Sequence, residues 1–123
     1  NSIKIKITKK NIRWFIDTTY KKLILIKKAL ENTDKKTNDR VVYSLVLRIR
    51  TLYLIQQMSK NKSYSKRELI NLLRRISDSN NTYESYLAIK NDEVESYKTT
   101  KEEAERLYEY LKKQLNDLKK IYN

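Results

Sequence analysis

DRVVYSLVLRIRTLYLIQQMS, residues 39–59, decides the fold. Val41, Val42, Leu45, Val46, Leu47, Ile49, Leu52, Leu54, Ile55 and Met58 cover nearly the whole circumference of a helix wound from these residues. A helix that is apolar on almost every side belongs at the centre of a helical domain, with other helices around it. Three arginines stand out against that background: Arg40, Arg48 and Arg50. A guanidinium on such a helix must reach water or an anion.

Working outward, helical spacing recurs on both sides of the stretch. Ile12, Phe15, Ile16, Tyr20, Leu23, Ile24, Ile26 and Leu30 predict a helix over 11–31, with Asn11 as its cap. The loop Asn32–Thr37 leads to the central helix, which Asn38 or Asp39 caps. Ser65-Lys66-Arg67-Glu68 is a capping box, in which hydroxyl and carboxylate satisfy each other's free backbone amides, and Leu69, Ile70, Leu72, Leu73 and Ile76 follow it. Residues 82–90 predict a shorter helix that buries Tyr83, Tyr86, Leu87 and Ile89. A second capping box, Thr100-Lys101-Glu102-Glu103, opens a last helix whose stripe runs through Ala104, Leu107, Tyr108, Leu111, Leu115, Leu118 and Tyr122. Ile3-Lys4-Ile5-Lys6-Ile7 alternates with a period of two and reads as a short strand or extended arm. The expectation is an all-α fold: a compact bundle of about five helices over 11–123, one domain, with an extended arm over 1–10.

The residue types that are missing exclude much chemistry. With no cysteine there is no disulfide, thiolate zinc site or iron–sulfur cluster within the chain. With no histidine, the usual general base and the commonest metal ligand are gone. With no glycine, neither a P-loop nor a dinucleotide fingerprint can be built. No pair of carboxylates is placed for acid–base catalysis, and the acidic run Asp92, Glu93, Glu95 reads as a solvated connection. The expectations are therefore no catalytic residue, no metal and no cofactor. The chain lacks eighteen consecutive apolar residues, so no membrane helix is expected, and a cytoplasmic location is the default. Asn1-Ser2-Ile3-Lys4 reads as a cut from a longer chain.

Charge supplies the positive signal. The chain carries 28 Lys and Arg against 15 Asp and Glu, a formal net charge of +13. The excess lies entirely in residues 1–76, since residues 77–123 hold more acids than bases. A field concentrated in one part is the footprint of a polyanion partner, where a merely soluble surface would spread it. Two constellations suit phosphates. The first is Lys35-Lys36-Thr37-Asn38-Asp39-Arg40, which puts cations at the positive end of the central helix, although Asp39 sets a carboxylate in the same place. The second is Arg40, Arg48 and Arg50 with Tyr43 and Trp14: Arg40, Tyr43, Leu47 and Arg50 share one face, and an aromatic beside cations suits a base stacked above phosphates. The plainer readings are an exposed loop with an ordinary cap, and snorkelling arginines. The tyrosines as a set read as rings in the core with hydroxyls at the rim.

Residues 23–32, the polar loop and residues 38–47 resemble a segment of the C-terminal domain of the primase large subunit. There a helix ends in a similar Lys-Ala-Leu turn, and a basic loop leads to an arginine that opens a helix with an aromatic three positions on. Residues 65–73 resemble that family's next short helix. The family's four cluster cysteines have no counterpart here, and Thr37-Asn38-Asp39 stands where its loop has glycines. Small, cluster-free archaeal primase accessory subunits of the PriX type are similar in these departures. The resemblance implies a non-catalytic subunit for DNA replication that helps start primer synthesis. It would hold the initiating nucleoside triphosphate, or the DNA template and RNA primer, beside primase catalytic and large subunits. It also implies that Asn38 and Arg40 hold phosphate, with Lys35, Lys36, Arg48 and Arg50 assisting, and that Tyr43 and Trp14 contact a base or support the pocket. Two other readings stand beside it: a general DNA- or RNA-binding helical module, and a structural interaction domain.

Overall fold

The computed structural model describes residues 7–122, and all five expected helices are present: α1 Lys9–Glu31, α2 Asp39–Ser59, α3 Lys66–Ser77, α4 Asn81–Lys90 and α5 Lys101–Tyr122. The fold is an all-α bundle, and α2 packs against each of the other four helices. Val42, Leu45, Val46, Ile49 and Leu52 are essentially excluded from solvent. At about 25 cal/mol per Å² of apolar area, burying such side chains is the main force holding the other helices on α2. α5 closes the bundle against α1, α2 and α3. Its apolar stripe lies in the core from Ala104 to Leu118, and Tyr122 at its end is only partly buried.

The second capping box forms in full, Thr100 and Glu103 exchanging reciprocal bonds of 2.8 and 3.1 Å. The first forms by half: Ser65 Oγ accepts from Glu68 N–H, but the Glu68 carboxylate turns away from the Ser65 amide to accept from the Tyr53 hydroxyl at 2.7 Å. At α1 the outcome differs. Thr8 is the cap, its Oγ1 accepting from Asn11 N–H at 3.1 Å, so the helix begins at Lys9 and takes in two residues assigned to the arm. The first six residues of that arm lie outside the described residues.

The chain ends its helices without glycine. Asn61, Asp78 and Asp92 adopt left-handed backbone, with φ of 55°, 58° and 55°. Short polar side chains tolerate this region best after glycine. After α2, Lys62 N–H reaches Gln57 O and Asn61 N–H reaches Met58 O; after α4, Glu93 and Asp92 repeat the pattern onto Ala88 and Ile89. These paired bonds satisfy carbonyls that a helix end otherwise leaves open.

The buried face of α4 departs from expectation. Tyr86 and Ala88 are buried, but the rest of the buried face is Thr82 and Ser85, while Tyr83, Leu87 and Ile89 are half-exposed. The hydroxyls are accommodated because they bond one another or nearby loops: Ser77 Oγ to Thr82 Oγ1 at 3.3 Å, and Ser85 Oγ to Thr99 Oγ1 at 2.7 Å. Of the tyrosine rings on α4, Tyr86 enters the core and Tyr83 packs against it from the half-exposed edge.

Candidate functional site

Of the 21 residues of α2, only Arg40, Arg50 and Ser59 are exposed. The two arginines lie on one side of the helix, ten residues and so about 15 Å apart. No carboxylate lies within ion-pair distance of either among the described residues, where the one ion pair is Lys98–Glu84 at 3.2 Å. Lys35 and Lys36 are exposed just ahead of Arg40.

The helix entrance itself is occupied. Asn38 Oδ1 accepts from Arg40 N–H at 2.8 Å, which settles the cap on Asn38 rather than Asp39. Asp39 is fully buried, and its carboxylate accepts from the backbone N–H and the hydroxyl of Ser96. The α4–α5 connection is thereby tied over the α2 N-terminus. Thr37 N–H donates to Thr99 O at 2.8 Å, Lys101 N–H to Lys35 O at 3.0 Å, and Lys36 bridges Thr100. The Asn38 side chain thus takes one helix amide, and the α4–α5 connection held by the Asp39 carboxylate covers the place where a phosphate would approach the others. Around that covered place, the cations Lys35, Lys36 and Arg40 face solvent.

At the other end of the face, the Arg50 guanidinium lies 5.7 Å from the Tyr64 ring centroid. Tyr64, the largest influence on it, holds the guanidinium above its ordinary pKa against the opposite pull of burial, and Tyr86 adds to the effect. Tyr43 and Tyr86 stack with centroids 5.2 Å apart and planes 12° from parallel, and Tyr83 leans on Tyr86 at 5.8 Å. Lys90 Nζ stands 6.0 Å from the Tyr86 ring. The result is a wall of tyrosines between α2 and α4, rimmed by Arg50 and Lys90. Because Tyr86 covers one side of the Tyr43 ring, Tyr43 supports this wall from within.

Two members of the sequence-derived set fall elsewhere. Arg48 is about 200° around the helix from Arg50. It is half-buried, burial pushes its pKa down, and its Nε has no hydrogen-bond partner. Trp14 stands on the outward side of α1, 68% exposed, and joins none of the aromatic pairs. Tyr64, Tyr83, Tyr86 and Lys90 join the face instead. The three on α4 were detectable, since positions 83, 86 and 90 share a helical side. Tyr64, in the α2–α3 connection, carried no such signal.

No family model matches the chain, and neither a curated protein nor a solved structure is similar to it. Among the described residues no three carboxylates gather to hold a metal ion. No helix there is long and apolar enough to cross a membrane.

Proposed function

We propose that this chain is a non-catalytic helical domain that binds the phosphate backbone of a nucleic-acid strand and serves a nucleotidyl-transferring catalytic subunit of the primase kind. The observation that carries the first part is the exposure of Arg40 and Arg50, unpaired with acids, at the two ends of one face of an otherwise covered helix. A spacing of about 15 Å lets the two arginines hold different phosphates of the same strand. Lys35, Lys36 and Lys90 extend the cationic path, and the exposed Tyr64 with the half-exposed Tyr43 and Tyr83 offers ring edges and hydroxyls between its ends, over the buried Tyr86. The second part rests on the resemblance of residues 23–47 to the primase large subunit.

The filled helix entrance favours a strand lying across the face over a triphosphate seated on the helix amides. Within the primase reading, the ligand is then the template or primer, more than the free initiating nucleotide. The test is a titration of labelled single strand, duplex and free ATP against the wild type, Arg40→Ala, Arg50→Ala and the double variant. Single strand should bind best, with an affinity that falls steeply with salt. Each lost phosphate contact should reduce the log–log salt slope by about 0.7. A folded double variant with unchanged affinity and slope removes the proposal. The primase part is checked separately, by adding the domain to a primase catalytic subunit and measuring primer initiation.

A further inference from the structure

We infer that the seam between α1 and α5, away from the proposed strand-binding face, is a docking groove for an acidic amphipathic helix of a protein partner. The groove encloses about 440 Å³. Its floor is apolar, with Leu23 and Tyr108 buried and Ile24 left 60% exposed beside them. Its rim is basic, where Lys27, Lys28 and Lys112 face the single acid Glu31. One end is closed by Tyr20, whose hydroxyl donates to Asn116 Oδ1 and whose ring lies 5.4 Å from Lys119 Nζ.

The shape selects the occupant. From Tyr20 to Glu31 the groove follows α1 for about 16 Å, three turns of a partner helix. Three turns place apolar side chains at i, i+4 and i+7 along one line, which suits an apolar floor and lets flanking carboxylates meet the lysine rim. Other occupants fit less well. A nucleic-acid strand would cover the apolar floor without matching it. A flat lipid surface would touch Ile24 but not Leu23 or Tyr108, which are buried between the two helices. A second copy of the chain would set like charges together, since α1 alone carries seven Lys and Arg against two acids.

The probe is a fluorescein-labelled, eighteen-residue designed peptide with leucines at i, i+4 and i+7 and glutamates flanking them. Its scrambled counterpart, of the same composition, and phosphatidylserine vesicles are run in parallel. Anisotropy should show micromolar binding of the patterned peptide, with amide shift changes centred on 20–31 and 108–112. Ile24→Glu should weaken it about tenfold or more, as expected for losing one buried aliphatic contact. Lys27→Glu and Lys112→Glu should weaken it as well. Leu25→Glu, equally exposed but outside the groove lining, should leave it unchanged. Ile24 faces solvent, so its variant should fold, and oligonucleotide binding by that variant should match the wild type. The inference is overturned if the scrambled peptide binds within twofold of the patterned one. It is also overturned if the shifts map to α2 and α4, or if vesicles bind through Ile24 and the peptide does not.

Discussion

Replacing Asp39 with alanine removes the carboxylate that ties the α4–α5 connection over the entrance of α2. The buried side chain accepts from both the N–H and the hydroxyl of Ser96, and each hydrogen bond to a charged group is worth about 1.5–3 kcal/mol net. Removing the charge also relieves its burial cost, so the expected loss is about 2–3 kcal/mol rather than the sum of both bonds. For a domain of this size each kcal/mol moves Tm by roughly 3–5 °C, which puts the fall near 10 °C. Urea and thermal unfolding followed by circular dichroism measure the loss. Hydrogen exchange should locate it, with the amides of Ser96, Thr37 and Lys101 losing protection first, because all three close the same junction. Asp39→Asn keeps one acceptor and should lose about half as much. It should also bind single strand more tightly at low salt, since it removes a negative charge beside Lys35, Lys36 and Arg40. If Asp39→Ala stays within about 0.5 kcal/mol of wild type, the range of an ordinary surface substitution, the carboxylate is not what holds the junction.

Other expectations follow from the same geometry. Burial pushes the Glu103 carboxyl up, but hydrogen bonds from Ser79 and from the backbone and side chain of Thr100, with the charge of Arg106, outweigh it and set its pKa below the ordinary value. The box at α5 should therefore contribute fully above the unfolded carboxyl pKa of about 4.3 and weaken as pH falls through the lower folded value. In a pH series of urea melts, the stability gap between wild type and Glu103→Gln should close on that acid side; a gap constant with pH would contradict the assignment. Leu45→Ala, at a fully buried position on the central helix, should cost about 2–5 kcal/mol in equilibrium denaturation. Asp92→Gly, at φ 55° on an exposed turn, should be neutral or raise stability by up to about 1 kcal/mol, since glycine removes the left-handed penalty. A clear loss there would mean the aspartate side chain holds the turn.

Much of the fold is legible because it is local. The apolar circumference of 39–59 marks a central helix, and Ser65–Glu68 and Thr100–Glu103 mark helix starts through bonds spanning three residues, where spacing alone specifies geometry. The candidate site is legible only in part. Arg40, Tyr43 and Arg50 share a face by helical periodicity, and they do so in the structure. Arg48, two residues from Arg50, necessarily turns away, which the same periodicity implies. Trp14 matches them in residue type alone, and the position of α1 separates it.

Asp39 marks the boundary between the two kinds of information. In the sequence it is a carboxylate at a helix start, indistinguishable from an exposed cap, and its partner Ser96 is 57 residues away. Helix identities and the Thr100–Glu103 cap follow from neighbours within about four residues, and the cationic excess from composition, so the chain alone determined them. The filling of the α2 entrance, the Tyr43–Tyr86 stack and the groove beside Ile24 arise where distant segments meet. Only packing of α4 and α5 around α2 decided these, because burial and long-range hydrogen bonding depend on which surfaces the folded chain brings into contact.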